Sequence, residues 1–339
     1  MTIRRVSFAT LLAAAAFVVP GQQASAQDLT VGMPTTPPNI IHMPVILAQD
    51  LGLFKKEGIT VKTIALDGGV KVYRAMLAGN IDIAMAPGAV MIIGKAKGSP
   101  ARAFLVSTPR NVASMVVRDN VKTMADLKGK RIGIQQPGGF ADINSKAVLR
   151  AAKIDPKEVN FVSIATDDVP ALVANQVDTA ILHVEQEMLA KSKVPSLHAI
   201  ARMWELQPKA LYLTDAATEK TLKDKAKQIE AFTKAKIAAV RTIYTDRAKV
   251  IPILVKHTGM PQSIVEQALD FMVKECIWDA NTGLGAERFD FTADLMTKVG
   301  NIEKGKTPKH EDLIDASFAK KAIASLGEWT GPVCPTKAF

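Results

Sequence analysis

Up to about Ala201 the spacing of apolar positions switches repeatedly between a period of two and a period near 3.6. Residues 29–33, 59–66, 81–86 and 103–107 read as strands, and residues 44–51, 70–78 and 89–97 as helices with one apolar face. Glycines such as Gly52 and Gly79 stop the helices. The rhythm restarts after an apolar run at 113–117, with strands at 131–134, 158–164, 179–182 and 197–201 and helices at 141–152, 170–175 and 185–192. Strands that alternate with helices on short connections predict parallel βαβ units and a doubly wound sheet, here twice over. From Ala217 the texture changes. Residues 219–244, 248–257, 261–275, 286–299 and 317–326 are amphipathic and helical, with no strand expected between them. The expected fold class is α/β, two doubly wound units with a helical C-terminal region.

In open α/β sheets ligands bind beyond the carboxyl ends of the strands. The loops there carry Thr35 and Thr36, Gly68 and Gly69, Pro87 and Gly88, and Thr108, and they are expected to converge on one crevice. In the second unit, strand 131–134 runs into Pro137, Gly138 and Gly139 before a helix that starts at Phe140. Glycines at a helix start gather backbone N–H groups at its positive end, a seat for an anion or a hydrogen-bond acceptor. The plainer alternative is a turn that needs glycine only for its dihedrals, with positive φ expected at Gly139. Arg110, just past strand 103–107, is the best-placed cation for an acidic ligand group, because a guanidinium grips a carboxylate or sulfonate with two parallel bonds. The competing reading is a solvated loop arginine. His183 and Glu185 follow strand 179–182. A glutamate in the cleft favours a ligand that donates hydrogen bonds, or it pairs with Arg110; for His183 a structural hydrogen bond explains as much as ligand contact. Trp204 and Glu205, after the next strand, either wall the cleft or pack.

Composition narrows the class. Arg4 and Arg5, an apolar run at 8–19, Pro20-Gly21 and Ala24-Ser25-Ala26 form the parts of a cleavable export signal, with cleavage expected after Ala26 and residues 1–26 removed. The apolar run is too short to span a bilayer. Removing Arg4 and Arg5 takes the formal charge from +10 to +8. The excess is spread over isolated lysines and no basic block is interleaved with aromatics, so nucleic acid is not an expected partner. Cys276 and Cys334 are the two cysteines, and an even count in an oxidising compartment predicts one disulfide pinning the C-terminal tail. The five histidines show no paired ligand spacing, and no nucleophile elbow, Walker loop or HExxH motif is present, so neither a metal nor a cofactor is expected.

Four phrases then carry a resemblance: Asp50-Leu51-Gly52-Leu53-Phe54-Lys55-Lys56-Glu57-Gly58-Ile59, Leu77-Ala78-Gly79-Asn80-Ile81-Asp82-Ile83-Ala84, Asp126-Leu127-Lys128-Gly129-Lys130-Arg131-Ile132-Gly133-Ile134 and Val173-Ala174-Asn175-Gln176-Val177-Asp178-Thr179-Ala180. In this order they resemble the periplasmic solute-binding proteins of ABC importers, in the NMT1/THI5-like branch that includes nitrate, sulfonate and taurine binders. The resemblance implies a type II binding-protein fold: one lobe of residues 27–112 and 215–339, a second of 113–214, and crossing strands at 113–117 and 211–214. It also implies a monomer that closes over a small polar molecule, a sulfonate, carboxylate or pyrimidine, and hands it to an ABC permease in the inner membrane. The turn from Pro137 to Phe140 corresponds to a glycine-rich turn used against the ligand. His183 stands where the family commonly has tryptophan or another large residue, which departs from the sulfonate-type pattern. Two rivals remain. One is an enzyme like the fungal pyrimidine synthases, whose cysteine-rich iron motif this chain lacks; the other is a periplasmic sensor subunit.

Overall fold

A computed structural model of the protein describes residues 27–164, 168–331 and 333–335. The expected export signal lies outside the described residues. The first unit runs β1 (Gln27–Met33), α1 (Met43–Asp50), α2 (Leu53–Lys56), β2 (Ile59–Ala65), α3 (Gly69–Leu77), β3 (Ile83–Pro87), α4 (Gly88–Ala96) and β4 (Ala101–Thr108). The second runs β5 (Ala113–Val117), β6 (Arg131–Ile134), α5 (Phe140–Ala151), β7 (Asn160–Ser163), α6 (Asp168–Val173), β8 (Thr179–His183), α7 (Val184–Lys193), β9 (His198–Arg202) and α8 (Met203–Leu206). The chain then returns through β10 (Leu213–Thr218) to the first unit.

Each unit forms a five-stranded sheet, ordered β2-β1-β3-β10-β4 and β7-β6-β8-β5-β9. Three parallel strands build one side of each sheet, and a single antiparallel strand is inserted between the third and the edge. The inserted strands, β5 and β10, are the ones that arrive from the other unit. Of the segments expected to cross between units, 113–117 is β5 and 211–214 runs from the second connection into β10, the connections themselves being residues 109–112 and 207–212. There the two crossings touch, with the Tyr212 N–H donating to the Pro109 carbonyl at 3.0 Å. β10 also extends to Thr218, past the point where the sequence pattern turns helical. Its charged member, Asp215, hides the strand from a hydrophobicity reading. The pairing that makes Asp215 tolerable lies on a distant helix.

That helix is α10 (Ala226–Thr245), which follows the short α9 (Glu219–Asp224). The single helix expected over 219–244 is thus two, broken at Lys225. Ile229, Phe232, Lys236, Val240 and Ile243 recur at helical spacing and are all buried. Phe232 stacks on Phe54 at 5.4 Å and meets Phe104 edge-on at 6.0 Å. Lys236 is fully buried and reaches both Asp215 oxygens, at 2.6 and 2.8 Å. Further on come α11 (Arg247–Thr258), α12 (Gln262–Lys274), α13 (Ala286–Lys298), α14 (His310–Leu313) and α15 (Ser317–Leu326). α10, α13 and α15 pack on the first sheet's helices and strands, but α12 lies against α7 of the second unit, where Phe271 meets Trp204 at 5.7 Å. Cys276 and Cys334 are joined as expected, with Cα atoms 5.3 Å apart.

Removing one partner of a buried ion pair strands the other charge, so Lys236→Met should cost about 3–5 kcal/mol in denaturant unfolding. Adding Asp215→Leu should return most of that loss. A single mutant as stable as the parent would mean that Asp215 is neutral.

Candidate functional site

The loops at the carboxyl ends of β1, β2, β3, β6 and β8 line a chamber of about 40 Å3 between the two sheets. Its centre is His183, at the end of β8. The imidazole Nδ1 lies 2.7 Å from Asn39 Nδ2 and 3.1 Å from Gln186 Oε1, and Nε2 lies 2.8 Å from the Tyr212 hydroxyl. Phe140 stacks on the ring at 5.2 Å, and Tyr212 stands edge-on to both. Burial drives the His183 pKa down to about 4, so the ring is neutral near pH 7 and offers one donor and one acceptor, both used. These five side chains come from the loop after β1, the first turn of α5, the end of β8, the first turn of α7 and the second crossing.

Glu185, two residues on, is fully buried. Its Oε1 accepts from the Ile40 N–H at 3.0 Å, while Oε2 has no partner. Burial pushes its carboxyl up to about 7, only partly offset by the N–H groups of Glu185 itself and Ile40. Asn39 to His183 and Ile40 to Glu185 thus tie the loop after β1 to the start of α7, one unit to the other. His42 completes the floor. It meets Thr35 Oγ1 through Nδ1 at 3.2 Å, its Nε2 is buried without a partner, and burial, then His183 and Lys236, keep it well below the usual histidine pKa. Across the chamber Gln136 Nε2 is buried and unpartnered too. Gly68 faces it with φ +87°, and a Cβ there would sit 2.4 Å from that nitrogen, so only glycine lets the two units approach this closely.

Of the residues expected in the crevice, Thr35, Gly68, Gly69, Pro87, Phe140 and His183 line the chamber, and Thr36 lines a larger cavity beside it. The others face elsewhere. Arg110 turns toward the end of α12, donating to the Glu275 carbonyl with its carboxylate at 3.9 Å, so it neither lines the chamber nor pairs with Glu185. Thr108 donates to the Ile41 carbonyl at 3.2 Å, beneath the floor. Gly88 packs on Leu211 and donates to the Tyr212 carbonyl at 2.8 Å. The turn before α5 is not an open anion seat: Gly138 N–H donates to Asp142 at 2.8 Å, Gly139 N–H to the Gln136 carbonyl at 3.1 Å, and Lys146 neutralises Asp142. Pro137 and Gly138 are exposed. Positive φ falls on Gly138, at +74°, and not on Gly139, whose φ is −83°. Trp204 packs between Phe271 and the Arg202 guanidinium, away from the chamber, and Glu205 is exposed.

Sequence reasoning passed over Asn39, His42, Gln136 and Tyr212. Gln135-Gln136 directly follows strand 131–134, and Asn39 opens the turn that leads into α1, so position alone offered a signal for both. Tyr212 offered none, because its role depends on how the crossing folds. Two further side chains hold Phe140 in place: Asn111, on the first crossing, donates to Asn144 at 3.0 Å, and Asn144 donates to the Phe140 carbonyl at 2.7 Å. Among the described residues no cluster of three or more His, Cys, Asp or Glu side chains is arranged to hold a metal.

With this geometry in view, the chain belongs to the NMT1/THI5-like family, whose model matches residues 39–248. It has the two-sheet architecture of periplasmic binding proteins. The putative binding protein YtlA of Bacillus subtilis is 25% identical over 302 residues, 84% of this chain and 87% of that one. A 4-amino-5-hydroxymethyl-2-methylpyrimidine phosphate synthase of Schizosaccharomyces pombe is 25% identical over 142 residues, 41% of this chain and 40% of that one. The periplasmic nitrate-binding protein NrtA from Synechocystis PCC 6803 superposes with a TM-score of 0.74 at 12% identity, covering 89% of this chain and 90% of that one.

The folded protein holds the Glu185 proton more tightly than an unfolded chain, where the carboxyl titrates near 4.5. Its burial therefore destabilises the fold increasingly as pH rises from about 4.5, and fully above about 7, by roughly 3 kcal/mol. Glu185→Gln should melt with the parent at pH 4.5 and several degrees above it at pH 8. Melting curves that differ equally at both pH values would refute this.

Proposed function

We propose that this chain is the exported, periplasmic binding component of an ABC importer, a monomer that takes a small polar organic molecule into the chamber between its two units and presents it to an inner-membrane permease. The observation that carries this reading is a pair of buried, unpartnered polar atoms on side chains that line the chamber, His42 Nε2 and Gln136 Nε2. Leaving such atoms unpaired costs about 1–3 kcal/mol each, and a ligand that pairs with them when the units close gains what the empty protein lacks. Family membership and the architecture shared with binding proteins support the same reading.

Chemistry narrows the ligand. The described side chains that line the chamber include amides, neutral imidazoles, aromatic rings and Asp168, but no lysine or arginine. Nitrate, the ligand in the name of NrtA, would find no counter-charge there. We therefore take the part of the ligand held in this chamber to be uncharged and planar, with a hydrogen-bond partner for His42 and an acceptor for Gln136, as in an aminopyrimidine. The synthase relative handles an aminopyrimidine by name, but it aligns with less than half of this chain, and no catalytic arrangement accompanies the neutral histidines, so binding is the better reading.

Thermal-shift and calorimetric titrations of the purified protein with 4-aminopyrimidines, taurine and nitrate test this. An aminopyrimidine at a hundredfold excess over its Kd should stabilise by about 2.7 kcal/mol. Gly68→Val should abolish that binding, while Arg110→Ala, engaged with Glu275, should leave it unchanged. Binding of nitrate or taurine but no pyrimidine, or loss of binding in Arg110→Ala, would overturn the ligand assignment.

A further inference from the structure

The chamber around His183, of about 40 Å3, has room for no more of a ligand than its polar head. Immediately beside it lies a cavity of about 300 Å3. Thr35 and Asn39 line both. Asn39 reaches His183 through its Nδ2, 2.7 Å from Nδ1, and rotation of the Asn39 side chain about its own two bonds breaks that contact. His183 would keep its stack on Phe140 and its bond to Tyr212.

The outer cavity differs in chemistry. Its walls include Pro37 and Pro38 from the loop after β1, Val173 from α6, Leu189 from α7 and Met260 from the turn after α11, so all three parts of the fold contribute apolar surface. Lys193, at the last turn of α7 and exposed, is the cation that lines it. Apolar walls left against water are a standing cost that an apolar group would relieve.

We propose that the outer cavity is the second half of the ligand site: the ligand carries an aliphatic chain or ring beyond its polar head, ending in an acidic group that Lys193 meets at the rim. This rests on reading the inter-unit cleft as the ligand site. It assigns specificity for length to Val173 and Leu189, and it makes Asn39 the side chain that admits the extension. Since α6, α7 and the turn after α11 close around the same group, a long ligand holds the two units together better than its head alone.

Anilinonaphthalenesulfonate, an apolar aromatic body with one acid group, is a suitable probe that needs no knowledge of the head. The purified protein should enhance its fluorescence saturably at one site per chain, and octanoate should displace it where butylamine does not. Val173→Trp, which fills the cavity, should weaken the probe by about tenfold or more, and Lys193→Glu by a comparable factor. Lys193→Glu lies on the surface and decides the question should Val173→Trp fail to fold, which its melting curve reveals. Absence of saturable binding, or affinity unchanged in the folded variants, overturns the proposal. Probe binding that depends on Val173 and Lys193 without any pyrimidine binding would sink the reading of the inner chamber and keep that of the outer one.

Discussion

Everything at the interface of the two units depends on one neutral imidazole. His183 ends β8, yet its ring is held by Asn39 from the loop after β1, by Tyr212 from the crossing and by Phe140 from α5. A neutral imidazole has one donor and one acceptor, so Nδ1 serves either the Asn39 amide or Gln186 Oε1 while Nε2 serves the Tyr212 hydroxyl. The burial that keeps the ring neutral is produced by the same stack of aromatic rings that positions it. Packing and protonation are thus one constraint. Glu185, sharing the turn, adds the opposite feature: a carboxyl buried with one oxygen unmatched.

The crossings explain how such an interface forms between two sheets that are each complete. β5 and β10 enter the sheets as antiparallel strands next to the parallel triplet, so each sheet contains one strand delivered by the other unit. The connections between the units are residues 109–112 and 207–212, which touch through the Tyr212 N–H and the Pro109 carbonyl. Tyr212 and Asn111 lie on those crossings, and both reach the chamber's surroundings, one bonding His183 and the other fixing Asn144. Opening of the cleft would act directly on the groups that shape it. α12, packed on α7 and facing Trp204 through Phe271, adds a second tie on one side.

Beneath the first sheet the Lys236–Asp215 pair occupies a place that apolar residues would fill at lower cost. Lys236 also helps depress the His42 pKa, so the buried charge pair is connected electrostatically to the chamber floor.

The sequence by itself determined the βαβ rhythm, nearly every strand and helix of both units, the helical C-terminal region and the cysteine pair. Those features rest on local periodicity, on breakers and on redox compartment, all of which act within a few residues or through composition. It also located Phe140, His183, Gly68 and Thr35 near one crevice, because strand ends in open α/β sheets are topologically fixed. It ended the returning strand at Thr214 and did not carry β10 on through Asp215 to Thr218, since the charge on Asp215 is cancelled only by Lys236, one helix later. It aimed Arg110 at the cleft and left the donors of Gly138 and Gly139 free, because nothing local reveals that Glu275 and Asp142 take them. The tertiary structure alone decided these pairings. Side-chain direction at a loop is set by whichever partner lies closest in space, and that partner is usually far away along the chain.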